Sequence, residues 1–114
     1  MEIVQERIGS VRVLRLRGRL DLAAKPGFES LMKGLIEGGE NRIVLDCQEL
    51  KYVSSSGLGA FIVCGRQLAG SGELVFAGLS SHIESLFEMT GISGLFTLCK
   101  TEQDALAAFG VAAG

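Results

Sequence analysis

Polar and apolar positions change rhythm several times along this chain, and each change marks an element. EIVQERI, residues 2–8, reads as a short strand closed by a turn at Gly9-Ser10. In VRVLRLR, residues 11–17, aliphatics alternate with arginines, the period of a half-solvated strand, so the two segments predict a hairpin. DLAAKPG breaks the alternation. Phe28, Leu31, Met32, Leu35 and Ile36 then recur at i, i+3, i+4, i+7 and i+8, one face of an amphipathic helix. Pro26 stands near its start, where its missing N–H costs nothing, and Gly38-Gly39 ends it.

RIVLDC, residues 42–47, predicts a third strand, and Leu58, Phe61, Ile62, Gly65 and Leu68 mark a second helix that stops at GSG. ELVFAG predicts a fourth strand. Ser81 and Glu84 have the spacing of a capping box before a third short helix carrying Ile83, Leu86 and Phe87, which Gly91 closes. LFTLC, residues 95–99, predicts a fifth strand, and a last helix opens at Thr101–Asp104 and carries Leu106 and Phe109.

Strands and helices that alternate with short connections imply a largely parallel sheet with right-handed crossovers. The expected fold is therefore α/β: a single domain over residues 1–114, with a mixed, mostly parallel five-stranded sheet and about four helices. Strands buried on both faces read as unbroken apolar runs. Here Ile43, Leu45 and Cys47 alternate with Arg42, Val44 and Asp46. The helices are thus expected mainly on one face, with a more polar second face, unlike a doubly wound nucleotide-binding sheet.

Composition narrows the possibilities. At 114 residues, 47% of them hydrophobic, the chain can bury one core without staples. A net charge of −2 with scattered basic residues lacks the electrostatic footprint of a nucleic-acid binder. The opening MEIVQERIGS shows no basic segment followed by an apolar run, so no secretory leader is expected, and no apolar stretch is long enough for membrane insertion. Cys47, Cys64 and Cys99 form no CxxC pair and sit among apolar residues, the pattern of buried reduced thiols in a cytoplasmic protein. No cofactor or metal is implied. The single histidine, His82, has no partner at ligand spacing and reads as a first-turn helix residue.

The candidate chemistry lies in YVSSSGLGAF, residues 52–61. A phosphate loop would need a lysine after its glycines, and a nucleophile elbow would need G-x-S-x-G; neither occurs. A serine hydrolase would need a histidine base, and His82 is the only histidine. The bland reading gives one serine to the N-cap and the others to the loop. Against it stand three successive hydroxyls, then Gly57-Leu58-Gly59 on a helix that starts at once. Small residues in a first turn leave backbone amides open to another molecule, and the positive end of the helix tolerates an anion.

YVSSSGLGAF resembles the D-S-S-G-L-G signature of the bacterial anti-sigma factor antagonists, which define the STAS domain family. VRVLRLRGRLDLA is similar to that family's second strand and G-x-L-D turn, RIVLDCQELKYV to the approach to the signature, and ELVFAGLSSHIESLFEMTGISGLFTL to its C-terminal half. The resemblance implies a STAS fold and an anti-anti-sigma factor. Such a binding module, not an enzyme, docks an anti-sigma factor serine kinase when unphosphorylated and so frees a sigma factor. It implies phosphorylation at Ser55 and resetting by a protein phosphatase. Ser54 stands where the signature has an acidic residue, Ser56 matches its second serine, and Asp21 matches an aspartate whose loop lies beside the modified serine. Asp21, Ser54, Ser55, Ser56, Gly57, Leu58 and Gly59 are thereby the expected partner-binding residues. The alternative is a constitutive STAS regulatory subunit of another complex, such as a lipid-transport ATPase, without a phosphorylation cycle; the missing acid at Ser54 is the feature that favours it.

Overall fold

The computed structural model describes residues 1–111, so the last three residues of the expected domain lie outside the described residues. The elements run β1 (Glu2–Ile8), β2 (Val11–Leu20), α1 (Lys25–Glu37), β3 (Arg42–Val53), α2 (Ser55–Leu68), β4 (Glu73–Ala77), α3 (Ser81–Met89), β5 (Thr97–Cys99) and α4 (Glu102–Ala108). The sheet order is β1-β2-β3-β4-β5. The first two strands form the expected antiparallel hairpin, and every later pairing is parallel. The mixed five-stranded α/β fold with four helices is therefore the one expected.

One face of the sheet carries the larger core. Leu14, Leu16, Leu20, Ile43, Leu45 and Phe76 project from β2, β3 and β4 against Phe28 and Met32 of α1, Phe61 and Leu68 of α2, and Ile83 and Phe87 of α3. Phe61 is its hub, edge-on to Phe76 at 4.9 Å and to Phe28 at 5.5 Å between ring centres. Such edge-to-face pairs add to the burial of apolar area. Among the described residues the second face is covered by α4, whose Ala105 and Leu106 sit with Phe109 on Val11, Val13, Val44 and Val75, so beneath α4 that face is apolar rather than the more polar one expected. Arg15 ties the start of α4 to the sheet. Its guanidinium donates to both Glu102 oxygens, at 2.8 and 3.0 Å, and to Glu6 at 2.8 Å.

Several boundaries differ from expectation. β3 continues six residues past Cys47 to Val53. Arg15 pairs with Asp46 but Arg17 with Glu49, and Gly18 pairs with Leu50 but Arg19 with Tyr52, so β3 carries two extra residues against β2. Such bulges break the two-residue period. Buried positions then fall at Cys47, Leu50 and Val53, a spacing of three that does not look like a strand. β2 likewise runs on to Leu20 through Gly18, whose φ of +101° a side chain would resist. β5 is shorter than LFTLC. Leu95 is exposed, and Phe96 leaves the strand to pack on Phe76, 5.0 Å between ring centres. The third helix is capped by Ser80, whose hydroxyl accepts from Ile83 N–H, so the Ser81–Glu84 capping box does not form. Thr101 caps α4 as expected, accepting from Asp104 N–H.

Candidate functional site

β2 and β3 run parallel and end together, with Leu20 opposite Val53. The loops that follow them share the C-terminal rim of the sheet, where ligand-facing loops of open α/β sheets gather. A backbone bond from Ser54 N–H to Leu20 O, 2.9 Å, ties the serine stretch to the end of β2. Asp21 is the next residue, so the structure places Asp21 beside the serines.

The three serines have three different positions. Ser54 is the N-cap of α2, in extended backbone, and its Oγ accepts from Gly57 N–H at 3.0 Å while its carbonyl accepts from Leu58 N–H. A cap of this kind contributes about 1 kcal/mol. The acid of the family signature is thus replaced by another residue able to cap. Ser55, the first residue of α2, is exposed, and no hydrogen bond from its hydroxyl is found among the described residues. Ser56 is half-buried behind it.

The two glycines divide the same way. A methyl on Gly57 would stand 2.8 Å from Leu20 O and 2.9 Å from Val53 Cγ1. Gly57 therefore lets α2 press against the strand ends; it is buried, and it is not open to a partner. Leu58, 8% exposed, points into the core as well. Both position the loop from inside. Gly59 is different: a methyl there would meet nothing within 4 Å. It is half-exposed and lies one turn below Ser55, with Val63, 44% exposed, a further turn on. Ser55, Gly59 and Val63 form one outward stripe with a bare notch at its middle.

Asp21 builds a turn. Its Oδ1 accepts from Ala24 N–H and its carbonyl from Lys25 N–H, each at 3.0 Å. These bonds stand in for the missing side-chain cap of α1, whose N-cap is Ala24. The turn displays Leu22, 71% exposed, on the rim. The residue patterning passed over Leu22. Its signal was a large apolar residue inside DLAAKPG that belongs to neither the strand alternation nor the helical face.

The other chemistry-bearing groups lie elsewhere. A polar cleft of about 650 Å³ on the second face is lined by Arg15, Asp46, Glu49, Lys100 and Glu102 among others, with Arg15 and Glu102 paired across it. The Arg15 bond holds the Glu102 carboxyl below the usual range, whereas burial pushes Asp46 above it. Burial also raises all three thiols, Cys64 to about 12, so they stay protonated at neutral pH. Cys47 and Cys64 are buried as expected, but Cys99 is only partly so. His82 is exposed on the first turn of α3. Among the described residues no group of three or more His, Cys, Asp or Glu could hold a metal, and no helix is long and apolar enough to cross a membrane.

The chain thus combines a mixed five-stranded sheet, its helices mostly on one face, with an exposed serine at the mouth of a rim helix. The STAS domain model matches residues 2–105, and the chain belongs to that family. BtrV of Bordetella bronchiseptica is 31% identical over 110 residues, 96% of this chain and 95% of that protein. The anti-sigma-B factor antagonist of Staphylococcus aureus is 30% identical over 83 residues, 72% of this chain and 77% of that one. Among solved structures, an anti-sigma factor antagonist from Mycobacterium paratuberculosis superposes with a TM-score of 0.87 at 20% identity, covering 94% of this chain and 92% of that one. The Bacillus cell-fate determinant SpoIIAA in its phosphorylated form gives 0.76 at 24%, covering 95% and 99%. SpoIIAA in its unphosphorylated form gives 0.74 at 21%, covering 96% and 98%.

Proposed function

We propose that this chain is an anti-sigma factor antagonist switched by phosphorylation of Ser55. Unmodified, it docks a serine-kinase anti-sigma factor through the rim that carries Asp21, Ser54–Ser56 and Gly59, and thereby releases a sigma factor; a protein phosphatase resets it. It acts in the cytoplasm as a binding module, not an enzyme. One observation carries the reading: Ser54 takes the capping bond, which leaves Ser55 exposed at the start of α2 with its hydroxyl uncommitted. The relatives support it, one being named an anti-sigma-B factor antagonist and SpoIIAA having both a phosphorylated and an unphosphorylated form.

The switch follows from charge. A phosphate on Ser55 adds about −1.5 to −2 charges. On the free domain the helix N-terminus offsets roughly 0.3–1 kcal/mol of the cost. Inside a closed interface, unit like charges about 4 Å apart repel by about 4 kcal/mol at an effective dielectric of about 20. At about 1.4 kcal/mol per decade, the interface term wins by two to three decades of affinity.

The test is phosphorylation by the cognate anti-sigma kinase with ATP, read by mass spectrometry. One phosphate on Ser55 is expected. Ser55→Ala should abolish it with the melting temperature unchanged, because Ser54 holds the cap. Ser55→Glu should weaken binding, by less than the phosphate does. Label that persists in Ser55→Ala, or that maps to Ser54 or Ser56, refutes the site.

A further inference from the structure

The rim carries an apolar feature that the serine switch does not explain. Leu22 is 71% exposed and Ala23 beside it is exposed too. Leu22 is not on a floppy tip. It sits between the two bonds that Asp21 makes to Ala24 and Lys25, in a loop anchored at Leu20 by the bond from Ser54 N–H. Two residues on one side of that anchor and one on the other separate Leu22 from Ser55, within roughly 16 Å even if both segments were extended. Val63, also exposed, lies two turns from Ser55 along α2, with the Gly59 notch between them.

A partner in a standard interface covers about 800 Å², a disc of roughly 16 Å radius. A footprint of that size centred on the Ser55 hydroxyl reaches Leu22, which lies at most roughly 16 Å away. We infer that Leu22 is an apolar anchor of this docking surface, received by an apolar pocket on the serine-kinase anti-sigma factor beside its nucleotide site. The inference rests on the function proposed above and assigns it a binding residue outside the serine signature. Asp21 is then a positioning residue: its carboxylate fixes the turn that presents Leu22.

The division of labour is specific. Leu22 makes no contact with the transferred phosphoryl group, so its loss acts on binding and not on transfer. Leu22→Ser should raise the Kd for the cognate kinase about ten- to hundred-fold, the loss expected when a leucine side chain is no longer taken from water. It should raise KM for phosphorylation in step and leave kcat within about twofold. Leu22→Met, which keeps the apolar bulk, should stay within about threefold of wild type. Met89→Ser is the control. Met89 is 82% exposed and stands at the C-terminal end of α3, the end away from the turn that leaves β4.

The experiment is calorimetric titration of the full chain and each variant against the cognate serine-kinase anti-sigma factor, with steady-state phosphorylation in parallel. A tenfold or larger weakening confined to Leu22→Ser, with Leu22→Met and Met89→Ser near wild type, supports the anchor. Wild-type binding together with unchanged binding by Leu22→Ser overturns it and leaves the Ser55 switch standing. A fall in kcat at unchanged KM also overturns it, because it would put Leu22 at the reacting atoms. Failure of the wild type to bind or to be phosphorylated overturns the functional reading and the anchor with it.

Discussion

Replacing Gly59 by alanine should move stability and binding in opposite directions. The added methyl meets nothing within 4 Å inside the domain. It sits in the interior of α2, where alanine is favoured over glycine by about 1 kcal/mol. Unfolding entropy of about 2.1 cal/mol/K per residue over 114 residues comes to about 0.24 kcal/mol/K, so Tm should rise about 4 °C. The same methyl fills the notch between Ser55 and Val63. If a partner packs into that notch, overpacking there costs about 1–3 kcal/mol, a Kd roughly five- to hundred-fold weaker. Differential scanning calorimetry and titration against the cognate kinase read the two signs separately. A more stable Gly59→Ala that binds as wild type would show that the notch lies outside the interface and that Gly59 serves no contact. A less stable variant would refute the structural premise.

Gly57→Ala should behave in the reverse sense, losing on the order of 1–3 kcal/mol because its methyl is driven into Leu20 O and Val53 Cγ1, visible as a lower midpoint in urea. Asp21→Asn retains an oxygen that can accept from Ala24 N–H, so if the turn is what matters, its phosphorylation rate should stay near wild type while Asp21→Ala slows it; equal slowing of both would show that the charge itself acts on the partner. Glu102→Gln should cost roughly 1 kcal/mol at pH 7, discounted because Arg15 and Glu102 are partly solvated. Because the Glu102 carboxyl is lowered in the fold, that contribution is present above the ordinary glutamate pKa of about 4.3 and is lost as pH falls below it, so thermal melts of wild type and Glu102→Gln should converge in acid.

Element order was legible in the chain because it rests on periodicity: the α1 stripe of Phe28 and Met32 appears as read, and Leu14 and Leu16 of β2 face the core opposite Arg15 and Arg17. Val11 and Val13 are buried as well, beneath α4, so β2 is not the half-solvated strand its arginines imply. The far half of β3 was not legible. Its two bulges reset the side-chain direction, so Cys47, Leu50 and Val53 face the same way at a spacing no regular strand has. Local hydrogen bonds were also hard to place to the residue. Ser80 and Ser81 have equal intrinsic ability to cap, and only the backbone, extended at Ser80 and helical from Ser81, decides between them. At the rim, the sequence marked the serines and both glycines but could not separate Gly57 from Gly59, since only the approach of Leu20 and Val53 distinguishes a glycine needed inside from one left bare outside. Leu22 carried no periodic signal, and its exposure is a tertiary fact.

The capping bond from Gly57 N–H to Ser54 Oγ has an evolutionary consequence. Serine and aspartate serve a helix N-cap about equally well. A lineage can therefore exchange one for the other at this position, by stepwise substitution, without disturbing how α2 begins. What changes is the local potential at the neighbouring hydroxyl. Architecture and electrostatics are uncoupled at one residue, so under the proposed switch its set point can drift or be selected while the scaffold stays fixed. Paralogues within one cell could hold different thresholds on the same backbone.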